Sequence, residues 1–169
     1  MTIHALSVGD GILALSQIPG AEGDYAGDLE HIRSWTPAMV VSLTTSLEMF
    51  VAKAHQMGND LQERGTRWCH MPIEDFGTPD QAFEEKWPDL SRDIRKALFG
   101  GGRVLVHCRG GCGRSGMIAL RLMIEAGEAP DDALARLRSV RACAVETDAQ
   151  MAWAMSGERG AAVFLRHAD

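Results

Sequence analysis

Residues 103–116, RVLVHCRGGCGRSG, limit what this chain can fold into more than any other stretch. A short apolar run, Val104-Leu105-Val106, ends in His107-Cys108. Five residues later come Arg114 and Ser115, and three of the five between are Gly110, Gly111 and Gly113. A long apolar helical pattern follows at once. The reading is a buried strand, a tight loop and a helix N-terminus. Such a loop curls its backbone N–H groups around an anion, and the helix N-terminus adds partial positive charge. Glycine permits the positive φ angles and keeps Cβ atoms out of the way. Free cysteine titrates near ~8.5, and one beside cations or a helix N-terminus near roughly 3.5–7.5. Cys108 is therefore expected to be a thiolate aimed at a bound phosphate. Arg114 offers a planar fork for two phosphate oxygens, which lysine cannot do. Ser115 can donate a hydrogen bond to the thiolate, and His107 one that fixes the loop. Arg109, Gly110, Gly111, Cys112 and Gly113 complete the expected phosphate-binding loop, with Arg109 either tuning substrate charge or merely solvated.

These residues resemble the signature of the cysteine-dependent tyrosine and dual-specificity phosphatases: His-Cys, five residues, Arg, then Ser or Thr. The resemblance implies a mainly parallel α/β sheet flanked by helices on both faces. It also implies hydrolysis through a phosphocysteine intermediate without metal or organic cofactor. Pro72-Ile73-Glu74-Asp75-Phe76-Gly77-Thr78-Pro79-Asp80 resembles the acid loop of that superfamily, and most closely the kinase-associated dual-specificity subgroup. Asp75 matches the general acid, while Asp80 is the better helix N-cap. The literal Trp87-Pro88-Asp89 falls inside a helical pattern, only 19 residues before Cys108 against 33 for Asp75. It is expected to be packing and not chemistry. Glu146-Thr147-x-x-Gln150 is similar to the Gln-Thr-x-x-Gln segment that positions water in tyrosine-specific members, with Glu replacing the first Gln. It also reads as a capping box. Tyr25 is similarly placed to the aromatic that such relatives set against the substrate ring, or is a plain surface tyrosine. The implied substrate is a phosphorylated protein, phosphotyrosine foremost and phosphoserine or phosphothreonine as well, or a small phosphomonoester.

Two other functions fit parts of the pattern. Gly111-x-Gly113-x-x-Gly116 also spells a dinucleotide-binding fingerprint, with Asp131 and Asp132 at about the ribose-binding interval. But GEAPDDALARLRSVR reads as a helix and not as a second strand, and Cys108 and Arg114 stay unexplained. A phospho-binding protein with vestigial chemistry is the other reading, against which the intact Cys108, Arg114 and Asp75 argue.

The rest of the chain sets bounds. Its 169 residues, 46% hydrophobic and 24% charged, suit one domain spanning 1–169. A net charge of −6 disfavours nucleic acid and anionic membrane surfaces as partners. There is no run long enough to span a membrane, and Gly9-Asp10-Gly11 interrupts the N-terminal apolar stretch, so neither an anchor nor a signal peptide is expected. Cys69, Cys108, Cys112 and Cys143 show no metal spacing. Reduced thiols in a cytoplasm are the expected state, with Cys112 or Cys69 a candidate to trap an oxidised Cys108. His4, His31, His55, His70 and His167 form no ligand pattern. Oligomeric state is left open. Strands are expected at 3–8, 11–16, 38–43 and 66–71. Helices are expected at 24–35, 47–63 and 80–99, with three more after the phosphate loop.

Overall fold

In the computed structural model, which describes residues 1–160, the chain forms a five-stranded sheet flanked by helices. The strands are β1 (His4–Val8), β2 (Gly11–Ser16), β3 (Met39–Ser42), β4 (Arg67–His70) and β5 (Arg103–His107), in the order β1-β2-β5-β3-β4. Only the β1–β2 pair, closed by the Gly9–Gly11 turn, is antiparallel. The helices are α1 (Tyr25–Trp35), α2 (Ser46–Val51), α3 (Met57–Gln62), α4 (Gln81–Phe99), α5 (Gly113–Glu125), α6 (Pro130–Val140) and α7 (Asp148–Met155).

Alternating residues of the central strands feed two cores. Val104 and Val106 of β5 join Leu13, Leu15 and Val41 beneath α4 to α7, whereas Leu105 joins Ala14 and Val40 beneath α1 and α3. Strands apolar on both faces belong to a sheet covered on both sides. Helix α5 is buried almost all round, as its apolar pattern requires. It is clamped to α4 through the buried Glu125, which accepts from Trp87 Nε1 and from Ser91 Oγ at 2.8 Å. Trp87 is thus packed within α4, and the solvent-facing Asp89 pairs with Arg92 at 3.2 Å. Pro88 sits inside a continuous helix without ending it. Asp80 caps α4 by accepting from Phe83 N at 2.8 Å.

One expected element is corrected. The single helix over 47–63 is two, α2 and α3. Lys53 takes a left-handed φ of 58°, and Ala54 N turns back to Met49 O at 2.8 Å. The break drops Ala54 and Met57 into the core while leaving Phe50 67% exposed.

Parallel register sets the carboxyl ends of three strands level: Ser16 and Ser42 both pair with His107. The loops leaving those ends lie at one edge of the sheet, where ligand sites of open α/β sheets form. Asp131 and Asp132, in contrast, sit in the first turn of α6 and not at the end of a second strand, which removes the dinucleotide reading.

Candidate active site

The stretch from Cys108 to Cys112 leaves β5 as a loop and α5 begins at Gly113. Gly111 makes the loop possible: its φ is +76°, and a Cβ there would strike the backbone of Ser16 and Gln17. Its N–H points inward at Cys108 Sγ, 3.2 Å away. Ser115, wholly buried in the first turn of α5, places its Oγ 3.3 Å from the same sulfur.

Arg114 is 2% exposed and fixed on three sides. Glu48 grips both terminal nitrogens at 2.7 Å. The carbonyl of Ile73 accepts from Nη1 at 2.8 Å, and Asp75 Oδ1 lies 3.3 Å from Nη2. Burial alone would lower the guanidinium pKa; the hydrogen bonds to Glu48 and the negative groups Cys108, Glu48 and Asp75 outweigh it and raise it. Burial likewise opposes ionisation of Glu48, but the bonds from Arg114 and Thr45 hold its carboxyl below the usual range. Sequence reasoning missed Glu48, although a signal was present. Thr45-Ser46-Leu47-Glu48 is a capping box, and both of its hydrogen bonds form. That box starts α2 at the end of β3 and fixes the carboxylate facing Arg114.

His107 is part of a fully satisfied relay. A carbonyl can only accept, so Nδ1, 3.1 Å from Cys108 O, carries the proton. Nε2 then accepts from Ser42 Oγ at 2.6 Å, and Ser42 accepts from Trp68 Nε1 at 2.9 Å. Burial pushes the imidazole pKa down to about 4. The unfolded histidine titrates near ~6.5, so between those values the unfolded state binds more protons. This residue's contribution is complete above the unfolded pKa and is lost as pH falls toward the folded one. The full span amounts to about 3 kcal/mol. Urea unfolding of wild type and His107→Gln across that window should converge as pH falls; parallel curves would remove the relay from the account.

The loop 72–80, expected to carry the general acid and here termed the acid loop, follows β4. Ile73 N bonds Leu43 O at 2.9 Å and Gly77 N turns back to Glu74 O at 2.8 Å. Asp75 accepts from the N–H of Phe76 at 3.0 Å and lies 3.7 Å from the largely exposed Arg109. The structure thus gathers Cys108, Arg114, Ser115 and Asp75 around one loop. Glu74 points outward, and Asp89 lies on α4 away from this set. Phe76, with φ 60°, and Val145, with φ 67°, hold rare left-handed backbone beside Asp75 and Glu146. Such strain gathers at functional loops.

Thr147 and Gln150 do form a capping box on α7. Buried Gln150 also donates to Gly77 O at 3.1 Å and so braces the acid loop. The carboxylate of Glu146 stands against Gly113, where it would collide with any added Cβ. Tyr25 donates to Asp60 on α3 at 2.6 Å, and burial with that bond raises its pKa. The phenol hydroxyl is thereby tied to α3.

The cysteine expectation is corrected. Cys112 and Cys143 form a disulfide, their Cα atoms 5.2 Å apart. The loop after α6 folds back over the start of α5, a proximity that a 31-residue separation conceals. Cys112 is therefore not a free thiol beside Cys108. Cys69 stays in β4, where burial pushes its thiol pKa up. The cysteines no longer argue for a reducing compartment, since disulfides persist in oxidising ones. Arg141 adds to the clasp by donating to Gly110 O at 2.9 Å and Gly111 O at 3.1 Å, a role with no sequence signal. Opening the disulfide should cost about 3–4 kcal/mol by loop-closure entropy. Guanidinium unfolding of Cys143→Ser against wild type checks this, and equal midpoints would show that the clasp contributes nothing.

Among the described residues, no cluster of His, Cys, Asp or Glu could hold a metal ion, and His167 lies outside them. No helix among them is long and apolar enough to cross a membrane. The model of the dual-specificity phosphatase catalytic domain matches residues 32–159. The chain belongs to that family. This phosphatase is 29% identical over 135 residues to cyclin-dependent kinase inhibitor 3 of Mus musculus, and 27% over 136 residues to that of Homo sapiens. Each alignment covers 76% of the chain but 63% of the relative, so the phosphatase matches less than two thirds of those proteins' length. The fold is that of kinase associated phosphatase, solved with its catalytic-site cysteine substituted by serine: TM-score 0.77, 24% identity, 91% of this chain and 93% of that one. The active form of Tk-PTP superposes with TM-score 0.68 at 29% identity, covering 83% of the phosphatase and 87% of that chain.

Proposed function

We propose that the phosphatase hydrolyses phosphate monoesters on proteins, phosphotyrosine foremost, through a phosphocysteine at Cys108. One observation carries this reading: Cys108 Sγ sits within reach of both the Gly111 N–H and the Ser115 hydroxyl, beside an Arg114 held flat by Glu48. In the first step the sulfur attacks phosphorus. The S–P bond forms as the ester P–O bond breaks, and Asp75, entering protonated, gives its proton to the leaving oxygen. Loop N–H groups and Arg114 stabilise the equatorial oxygens. In the second step Asp75, now a carboxylate, takes a proton from water as that water attacks phosphorus. The Cys108 sulfur leaves, steadied by the Ser115 hydroxyl. Glu146 and Gln150 stand over the start of α5, where they can orient that water. A protein substrate is supported by the kinase associated phosphatase likeness and by the family.

The test is turnover of p-nitrophenyl phosphate and of phosphotyrosine and phosphothreonine peptides by purified protein. No step uses a metal, so excess EDTA should leave the rate unchanged. Loss of turnover in EDTA, restored by a divalent ion, would contradict the mechanism.

A further inference from the structure

Large apolar side chains stand exposed at four described positions: Leu47, Phe50 and Val51 on α2, and Phe76 on the acid loop. Scattered exposed apolar residues need no explanation, but a cluster beside a site does. Leu47 and Phe76 are the chain neighbours of Glu48 and Asp75, the two carboxylates on Arg114. Exposed apolar residues thus flank, in the chain, both carboxylates that hold Arg114. Leu47 and Val51, one helical turn apart, also wall a cavity of about 380 Å³ whose other lining includes Ile18, Ala21, Ala52 and Arg109. Glu48, which grips Arg114, and Arg109, from the loop after Cys108, also line this cavity, so it shares two residues with the site.

We propose that this cavity is a substrate subsite that takes a bulky apolar side chain flanking the phosphorylated residue of a peptide. This rests on the phosphatase reading and narrows it to phosphoproteins with Leu, Ile, Met or Phe beside the phosphoresidue. A peptide is the occupant because the subsite lies beside Arg109 of the loop after Cys108, and its wall is aliphatic apart from Glu48 and Arg109. A charged lipid surface would need several cations at the rim. Arg109 is the cation lining this cavity, and the chain carries a net charge of −6.

The experiment compares phosphotyrosine peptides that differ only in Leu, Ser or Glu at the flanking positions. It uses wild type, Leu47→Ser, Val51→Ser and the double variant. The substituted side chains are exposed, so the fold should tolerate them. Two readouts are taken: kcat/KM, and fluorescence anisotropy of labelled peptide. Wild type should favour the Leu peptide by roughly tenfold or more, as one buried apolar side chain provides. The double variant should lose that preference, while Arg64→Ser, outside the cavity, should keep it. Equal values for Leu and Ser peptides, or an undiminished preference in the double variant, would overturn the subsite. So would faster turnover of phosphoinositide vesicles than of any peptide. Failure to hydrolyse even p-nitrophenyl phosphate would instead sink the phosphatase reading, and anisotropy would still decide the subsite.

Discussion

Replacing Cys108 by serine should abolish turnover while leaving anion binding intact. The hydroxyl is a far weaker nucleophile than the sulfur at neutral pH, and nothing else in the loop can form the covalent bond. Subtilisin loses about 10⁶-fold when its nucleophile goes, and a loss of that order is expected here. Phosphate or vanadate binding should persist, because the Gly111 N–H, the α5 N-terminus and Arg114 are untouched. The substitution is nearly isosteric in a site only 3% exposed, so the fold should hold. Steady-state assay with p-nitrophenyl phosphate, paired with vanadate titration by calorimetry, makes the measurement. Near-normal turnover in Cys108→Ser would end the assignment.

Asp75→Asn should lower kcat by roughly the 10²–10⁴-fold typical of general acid–base catalysis. The loss should be greatest for poor leaving groups and should shrink for those that need no proton. The amide keeps the size of the carboxyl but can neither donate the proton nor take one from water. Asp89→Asn should change little, because Asp89 faces solvent on α4 beside Arg92. Leaving-group dependence across a series of aryl phosphates separates the two residues. A large loss in Asp89→Asn would place the acid on α4 and contradict the loop assignment. A residual rate in Asp75→Asn that falls further when Glu146 is also replaced would make Glu146 a second proton carrier.

The phosphate loop was legible because its chemistry is local. Strand, glycines, Cys108 and Arg114 follow one another within a dozen residues, and the glycines mark where the backbone must turn tightly. A second local pattern, with Gly77 and Pro79 marking its loop, pointed to Asp75, whose carboxylate lies 3.3 Å from Arg114 Nη2. Asp80 and Thr147 were readable as caps for the same reason, and both cap helices. What stayed hidden depends on tertiary return. Glu48 reaches Arg114 across 66 residues, Cys143 reaches Cys112 across 31, and Arg141 meets Gly110 only because α6 ends where the phosphate loop begins. The break at Lys53 was hidden differently. Apolar periodicity ran through it unbroken, and the backbone gave way where two core contacts, Met49 and Ala54, could not be met by one straight helix. Tyr25 has a similar hidden partner. Its position suggested a substrate contact, and nothing in the sequence pointed to the bond its hydroxyl makes to Asp60 on α3.

The most direct test of the account is to trap the covalent intermediate. Asp75→Asn protein, mixed with p-nitrophenyl phosphate and quenched within a turnover, should carry one phosphoryl group. Mass spectrometry of the digest should place it on the sulfur of Cys108. A burst of p-nitrophenol should match the phosphoprotein formed, because the good leaving group lets the first step proceed while the second is slowed. Product formation with no phosphoryl group on Cys108, or a phosphoryl group on any other residue, would contradict the mechanism.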